Sequence, residues 1–233
     1  MAGDPFGRAL RDHYHGERTE PLIQRDGEET LEHPIEEFYF GDGDELTEWL
    51  GQRLDGPLLD MGAGAGKHAL FFQERVETVA IEVNEPLVAL LRERGVEDAR
   101  QGDMFSLREQ FDRDRFGSAL AYGTQVGLAG SMLGLREFLG DLAYVTGPNA
   151  RAVIDSYDPT RDGTADLLGY RGDPTPGLAS RVMAFEYEGD RGEILLFRLF
   201  SPDRLREATI GTPWTVETVR ADGVHYLAEL AKQ

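Results

Sequence analysis

The segment Leu58-Leu59-Asp60-Met61-Gly62-Ala63-Gly64-Ala65-Gly66-Lys67 restricts the possible folds of this chain more than any other. An apolar run gives way to glycines at alternate positions and then to a helix-compatible stretch, the pattern of a strand that turns tightly into a helix. Such a turn lets backbone N–H groups and a helix N-terminus approach an anionic ligand group closely. Two phosphate-binding patterns fail here. The phosphate loop needs glycine, four residues, then Gly-Lys-Ser/Thr, whereas Gly66-Lys67 is followed by His68 and the position five before Gly66 is Met61. The dinucleotide pattern G-x-G-x-x-G, started at Gly62, meets Lys67 at its sixth position. What fits is an acidic residue followed by glycine at alternate positions.

Around this turn, strand and helix patterns alternate. Strand one is read at Leu58–Met61, a helix from about Ala65 to Glu74, and strand two at Val76–Val83. The next helix, Pro86 to Arg94, has Asn84 as cap, Pro86 in its first turn, Leu87, Leu90 and Leu91 as its apolar stripe and Gly95 as its stop. A short third strand at Asp98–Gln101 leads into Gly102-Asp103, and a fourth runs Phe116–Tyr122. Ser131 caps an amphipathic helix with Leu135, Phe138, Leu139 and Leu142 on one face, closed by Gly147-Pro148, and the fifth strand is Ala152–Tyr157. Strands and helices alternating at this interval require a parallel sheet with right-handed crossovers.

The flanks follow other rules. Residues 1–55 read as a cap, with Asp44 placed to cap a helix carrying Leu46, Trp49, Leu50 and Leu54 on one face. Residues 159–180 are rich in Gly and Pro, which suits an irregular lid. Arg181–Glu188 and Glu193–Phe200 then read as a hairpin across Gly189–Gly192. Ser201 caps a helix with Pro202 in its first turn, and Trp214–Arg220 and Val224–Leu230 complete the sheet.

Composition narrows the function classes. With no cysteine the chain has no disulfide, thiolate metal site or Cys nucleophile, and the five histidines form no tight ligand pair, so no metal is expected. No run approaches the roughly 20 apolar residues that cross a bilayer, and Met1–Asp12 lacks a continuous secretory core, so a cytoplasmic location is expected. Acidic residues number 43 against 24 basic ones, and the lysines are Lys67 and Lys232 alone. Such a carboxylate-rich, lysine-poor surface resembles that of proteins from extreme halophiles, where screening over about 3 Å at 1 M salt tolerates it. No Lys/Arg cluster interleaved with aromatics supports a nucleic-acid partner.

The D-x-G-x-G-x-G run at Asp60, Gly62, Gly64 and Gly66 resembles the first signature of class I S-adenosylmethionine-dependent methyltransferases. The resemblance implies that S-adenosyl-L-methionine is the cofactor. Its aminoacyl part would pass over Gly62, Ala63, Gly64 and Gly66, with Asp60 near the amine. Glu82, 22 residues beyond Asp60, ends strand two beside Val83, where the family places its ribose-binding acid, and a carboxylate there can accept both hydroxyls. Gly102-Asp103-Met104 is similar to the family's adenine-binding acid followed by an apolar residue against the ring. Tyr122-Gly123 would line the methyl-donor side. The implied fold is a doubly wound, Rossmann-like α/β domain. Its sheet has seven mostly parallel strands, one of them antiparallel, with an N-terminal helical cap (1–55), a cofactor-binding core (56–158), a lid and hairpin after strand five (159–200) and C-terminal helix and strands (201–233).

The resemblance also separates acceptor classes. Many enzymes that methylate exocyclic amines of nucleic-acid bases carry an Asn/Asp-Pro-Pro-aromatic run where this chain has Ala121-Tyr122-Gly123-Thr124. The stretch from Ser201 to the C-terminus is similar to small-molecule methyltransferases of the ubiquinone/menaquinone-biosynthesis type, which implies a small acceptor. An RNA or protein acceptor, or a cofactor-binding module without turnover, are the alternatives. Methyl transfer needs in-line alignment, with a general base optional. Candidates for that base are Tyr14, His15 and His33 in the cap and Tyr157 and Asp158 after strand five. Arg198 could hold an acceptor carboxylate, or pair with one of its many acidic neighbours.

Overall fold

A computed structural model of the chain describes residues 4–41 and 45–233. Asp44, expected as a helix cap, lies outside the described residues. The chain opens with α1 (Pro5–His15), a hairpin of β1 (Ile23–Asp26) and β2 (Glu29–Glu32), one π-helical turn at Glu36–Phe40, and α2 (Glu45–Gly51). Then come β3 (Leu58–Met61), α3 (Lys67–Gln73), β4 (Thr78–Glu82), α4 (Glu85–Glu93) and β5 (Ala99–Gln101). They are followed by α5 (Leu107–Gln110), β6 (Phe116–Ala121), α6 (Met132–Val145) and β7 (Thr146–Tyr157). The last third holds β8 (Tyr170–Gly172), β9 (Leu178–Tyr187), β10 (Asp190–Arg191), β11 (Leu195–Phe200), α7 (Pro202–Thr209), β12 (Trp214–Asp222) and β13 (His225–Lys232).

Seven strands form the main sheet in the order β12-β13-β7-β6-β3-β4-β5. The five from β7 to β5 run parallel, and β13 is antiparallel to both of its neighbours. From β3 the chain steps outward to β4 and β5, then returns to the other side through β6 and β7. The crevice between the carboxyl ends of β3 and β6 is therefore the topological switch point, where open α/β sheets bind ligands. Alternate residues serve opposite faces. Leu58, Leu120, Val153 and Leu227 pack with Leu50, Leu54 and Phe72 on the side of α2 and α3. Leu59, Ala119, Ala152 and Ala228 pack with Leu135, Phe138 and Leu142 of α6 and Leu205 of α7 on the other. Burial on both faces is why these strands read as unbroken apolar runs.

The helix starts follow side-chain capping. Asn84 accepts the Leu87 N–H at 3.4 Å, Ser131 that of Gly134 at 3.0 Å, and Ser201 that of Arg204 at 3.3 Å. One boundary differs from expectation: α6 ends at Val145 and β7 begins directly at Thr146, so Gly147-Pro148 lies inside the strand's first residues.

The N-terminal region also differs. It was expected to be helical, yet between its helices it holds the β1–β2 hairpin, and β1 pairs antiparallel with β9, residues 23–25 against 184–186. Charged residues at Arg25, Asp26, Glu29 and Glu32 hide any apolar alternation, so the strands form by docking on β9. The hairpin loop does carry its own signal, Asp26-Gly27, with Gly27 at φ +59°. Through β1 the N-terminal region joins the segment after β7 in a second, antiparallel sheet, in which β9 also pairs with β8, β10 and β11. Among the described residues no helix is long and apolar enough to cross a membrane.

Candidate functional site

The glycine turn after β3 is stitched to β4. Gly62 and Ala63 N–H groups donate to the Ile81 carbonyl at 2.9 and 3.1 Å, and the Gly64 N–H donates to the Glu82 carboxylate at 3.1 Å. Gly66 takes φ +85°, and a Cβ there would stand 2.7 Å from Leu91, so this position needs glycine for backbone conformation and for close packing on α4.

Two carboxylates face each other across the turn. Glu82 is buried at the end of β4, its Oε2 accepting from Gly64 and its Oε1 from the Asn84 N–H at 3.2 Å. Burial raises its pKa, and the backbone N–H donors oppose that shift. Asp60 is 3% exposed, and its Oδ2 has no hydrogen-bond partner among the described residues. Burial first, and the charge of Glu82 second, push its carboxyl up to about 7. An orphaned buried oxygen is rare in folded proteins.

These residues line one end of a cavity of about 910 Å³. The wall continues along the ends of β6 and β7. After β6 the chain turns at Thr124, a non-glycine residue at φ +58°, whose N–H donates to both oxygens of Asp155 at 2.9 Å. Asp155 is buried at 1% exposure and also bonds His225 Nε2 at 2.7 Å. A carboxylate can only accept, so Nε2 carries a proton that it donates to Asp155, and in the neutral ring Nδ1 holds the lone pair. Tyr122 and Tyr157 hold the ring edge-on, with centroids 6.1 and 5.4 Å away.

The second sheet closes the cavity with a polar chain. Arg181 Nη2 donates to Gln24 Oε1, Gln24 Nε2 lies 2.7 Å from His33 Nδ1, and His33 Nε2 lies 2.9 Å from the Tyr39 hydroxyl. Since guanidinium only donates, the Gln24 oxygen faces Arg181 and its amide nitrogen donates to His33, which places the His33 proton on Nε2. Burial, followed by the charge of Arg181, lowers the His33 pKa to about 4, so this imidazole stays neutral.

The structure gathers most of the expected residues here. Asp60, Gly62, Ala63, Gly64, Glu82 and Val83 line the cavity, as do Tyr122, Gly123, His33 and Tyr157. Others lie elsewhere. Asp103 is exposed, its Oδ1 bound to the Phe105 N–H at 2.8 Å, and Met104 points into the main core; neither lines the cavity. Tyr14 and His15 sit on the far part of α1 against Glu93, and Asp158 closes its own turn through Thr160. Arg198 pairs with Asp173 and Ser180 and lies outside the lining, so its acidic-neighbour alternative is what the structure contains. The residues missed from sequence are Asp155, His225, Arg181, Gln24 and Tyr39. Arg181 had a signal: it interrupts the apolar alternation Ala179, Met183, Phe185 along β9.

By sequence, the chain matches no protein-family model and no curated protein. By structure, it is similar to an S-adenosylmethionine-dependent methyltransferase from Bacteroides fragilis in complex with S-adenosyl-L-homocysteine, with TM-score 0.82, 24% identity, and 98% of this chain and 94% of that one covered. An amino pentose methyltransferase from Micromonospora echinaspora matches with TM-score 0.56, 19% identity and 76% and 83% coverage. A 1,6-didemethyltoxoflavin-N1-methyltransferase from Burkholderia thailandensis matches with TM-score 0.53, 22% identity and 81% and 74% coverage. The chain has the fold of class I S-adenosylmethionine-dependent methyltransferases.

Proposed function

We propose that this protein transfers a methyl group from S-adenosylmethionine to a small-molecule acceptor. The observation that carries this is the pairing, in one cavity wall, of an orphaned Asp60 oxygen with a Glu82 carboxylate whose acceptor capacity the backbone does not fill. A carboxylate offers about four acceptor sites. The Gly64 and Asn84 N–H groups take one site on each Glu82 oxygen, the Val83 N–H also acts on the carboxylate, and the remaining acceptor capacity suits ribose hydroxyls. Asp60 suits an ammonium, and the exposed apolar side chains of Val83 and Leu128 in the wall offer faces to a flat base. When bound, the sulfonium supplies an electrophilic methyl group for in-line displacement.

The protein's own part is alignment, exclusion of water and handling of one proton. The second sheet roofs the crevice, which favours a small acceptor over a polymer; the amino pentose and toxoflavin-precursor enzymes of the same fold support that choice. Orientation of two bound reactants supplies up to roughly 7–11 kcal/mol in intramolecular models. His225 Nδ1, with Asp155 fixing its tautomer, takes the acceptor's proton. Calorimetry in concentrated salt tests the assignment: S-adenosylhomocysteine binds at about micromolar Kd. Absence of heat with this ligand and with S-adenosylmethionine overturns it.

We also infer that the acidic surface suits concentrated salt. The net charge is −19, and many arginines are committed to surface pairs such as Arg25–Glu186, Arg100–Asp98 and Arg171–Asp26. Salt weakens those pairs, which lowers stability, and screens the unpaired carboxylates, which raises it. The excess of acid makes the second effect larger. Tm is therefore expected to rise by about 5–10 °C between 0.1 and 2 M KCl. A flat or falling Tm in a thermal melt excludes the idea.

A further inference from the structure

We infer that Arg181 anchors an anionic group, a carboxylate, on an acceptor whose remaining body is apolar. The acceptor role rests on the methyl-transfer reading; the anion site rests on the structure alone.

Arg181 is 8% exposed and lines the cavity. In a chain where acids outnumber bases, it makes no ion pair with any described residue. Its Nε donates to the Leu168 carbonyl at 2.9 Å and its Nη2 to Gln24, and Nη1 has no acceptor among the described residues. Burial lowers its pKa, and no carboxylate acts to restore it. A buried, charged guanidinium without a counterion is unfavourable unless a ligand supplies the charge. Its bonds to Leu168 and Gln24 hold the planar fork in place, so the free edge is preorganised for two parallel hydrogen bonds to one carboxylate.

The surroundings define the rest of the ligand. On the same face of β9 the cavity is lined by Met183 and Phe185, and on β11 by Leu195 and Phe197. These side chains offer no hydrogen bonds, so the part of the ligand that lies along β9 and β11 is apolar. Tyr157 lines the same cavity: its ring lies 5.4 Å from that of His225, and its hydroxyl, whose pKa burial raises, is acted on by the charge of Arg181. Arg181 and the His225 base thus flank one tyrosine. A ligand held at the first presents its other end to the second.

The test uses the full chain, in the presence and absence of S-adenosylhomocysteine, titrated with matched carboxylate and amide pairs: benzoate with benzamide, and hexanoate with hexanamide. Ligand-observed NMR and calorimetry are expected to show each carboxylate binding about tenfold or more tighter than its amide. That preference disappears in Arg181→Met and is partly retained in Arg181→Lys. The wild-type comparison needs no variant, and the melting curve of each variant checks its fold. Equal binding of acid and amide, no binding of either carboxylate, or an undiminished preference in folded Arg181→Met overturns the proposal. Loss of S-adenosylhomocysteine binding alone, with the preference intact, sinks the methyl-transfer assignment and leaves the anion site standing.

Discussion

Glu82→Ala is expected to weaken S-adenosylhomocysteine binding by roughly 10²–10⁴-fold, through loss of two hydrogen bonds from ribose hydroxyls to a charged acceptor at about 1.5–3 kcal/mol each. The backbone bonds from Gly64 and Asn84 use one site on each oxygen, so the ligand does not have to displace them. Glu82→Gln keeps the shape and one acceptor oxygen, and is expected to fall between the wild type and alanine. Calorimetry that finds Glu82→Ala within about threefold of wild type would remove the ribose role. Asp60 adds a pH dependence to the same titrations. Its carboxyl is pushed up to about 7, above its unfolded value, so the proton it holds favours the folded state at low pH and that advantage is lost as pH rises through about 7. A ligand ammonium selects the ionised form instead. Affinity should therefore rise about tenfold from pH 6 to pH 8, and Asp60→Asn should flatten the rise.

Local chemistry made the core legible. The strand ends at Asp60 and Glu82, the turn between them and the caps at Asn84, Ser131 and Ser201 are each specified within a few residues, and the structure places them as the pattern requires. Asp103 shows the limit of that logic. Its place after β5 follows the pattern, but the side chain accepts the Phe105 N–H and does not line the cavity, while Met104 packs in the core. Sequence position locates a residue at a strand end without fixing its side-chain direction. The acceptor side was illegible for a different reason. Asp155 and His225 are 70 residues apart and meet because β13 inserts antiparallel beside β7. Gln24 reaches Arg181 across 157 residues because a charged hairpin docks on β9. Contacts created by strand pairing over such separations leave no local periodicity to read.

That pairing yields the second large effect. In Asp155–His225 the order of parts is that of an oriented base: a buried carboxylate, held from behind by the Thr124 N–H, accepts from Nε2, so that in the neutral ring Nδ1 is the proton acceptor. His225 is 24% exposed by side chain, enough to meet a ligand in the cavity that it lines. For an acceptor that must lose a proton, His225→Gln is expected to lower the single-turnover rate of methyl transfer by about 10²–10⁴-fold. Affinity for S-adenosylhomocysteine, held at the Asp60–Glu82 end, should change little. Asp155→Asn tests the orienting role separately: an amide can donate to Nε2, which moves the imidazole proton to Nδ1 and blocks the base while the ring stays in place. It should therefore match His225→Gln in rate, and the double variant should be no slower than either single one, as for groups that act as a unit. A loss that appears in KM with the single-turnover rate intact would make His225 a binding group only. An unchanged rate in His225→Gln would remove it from the chemistry altogether.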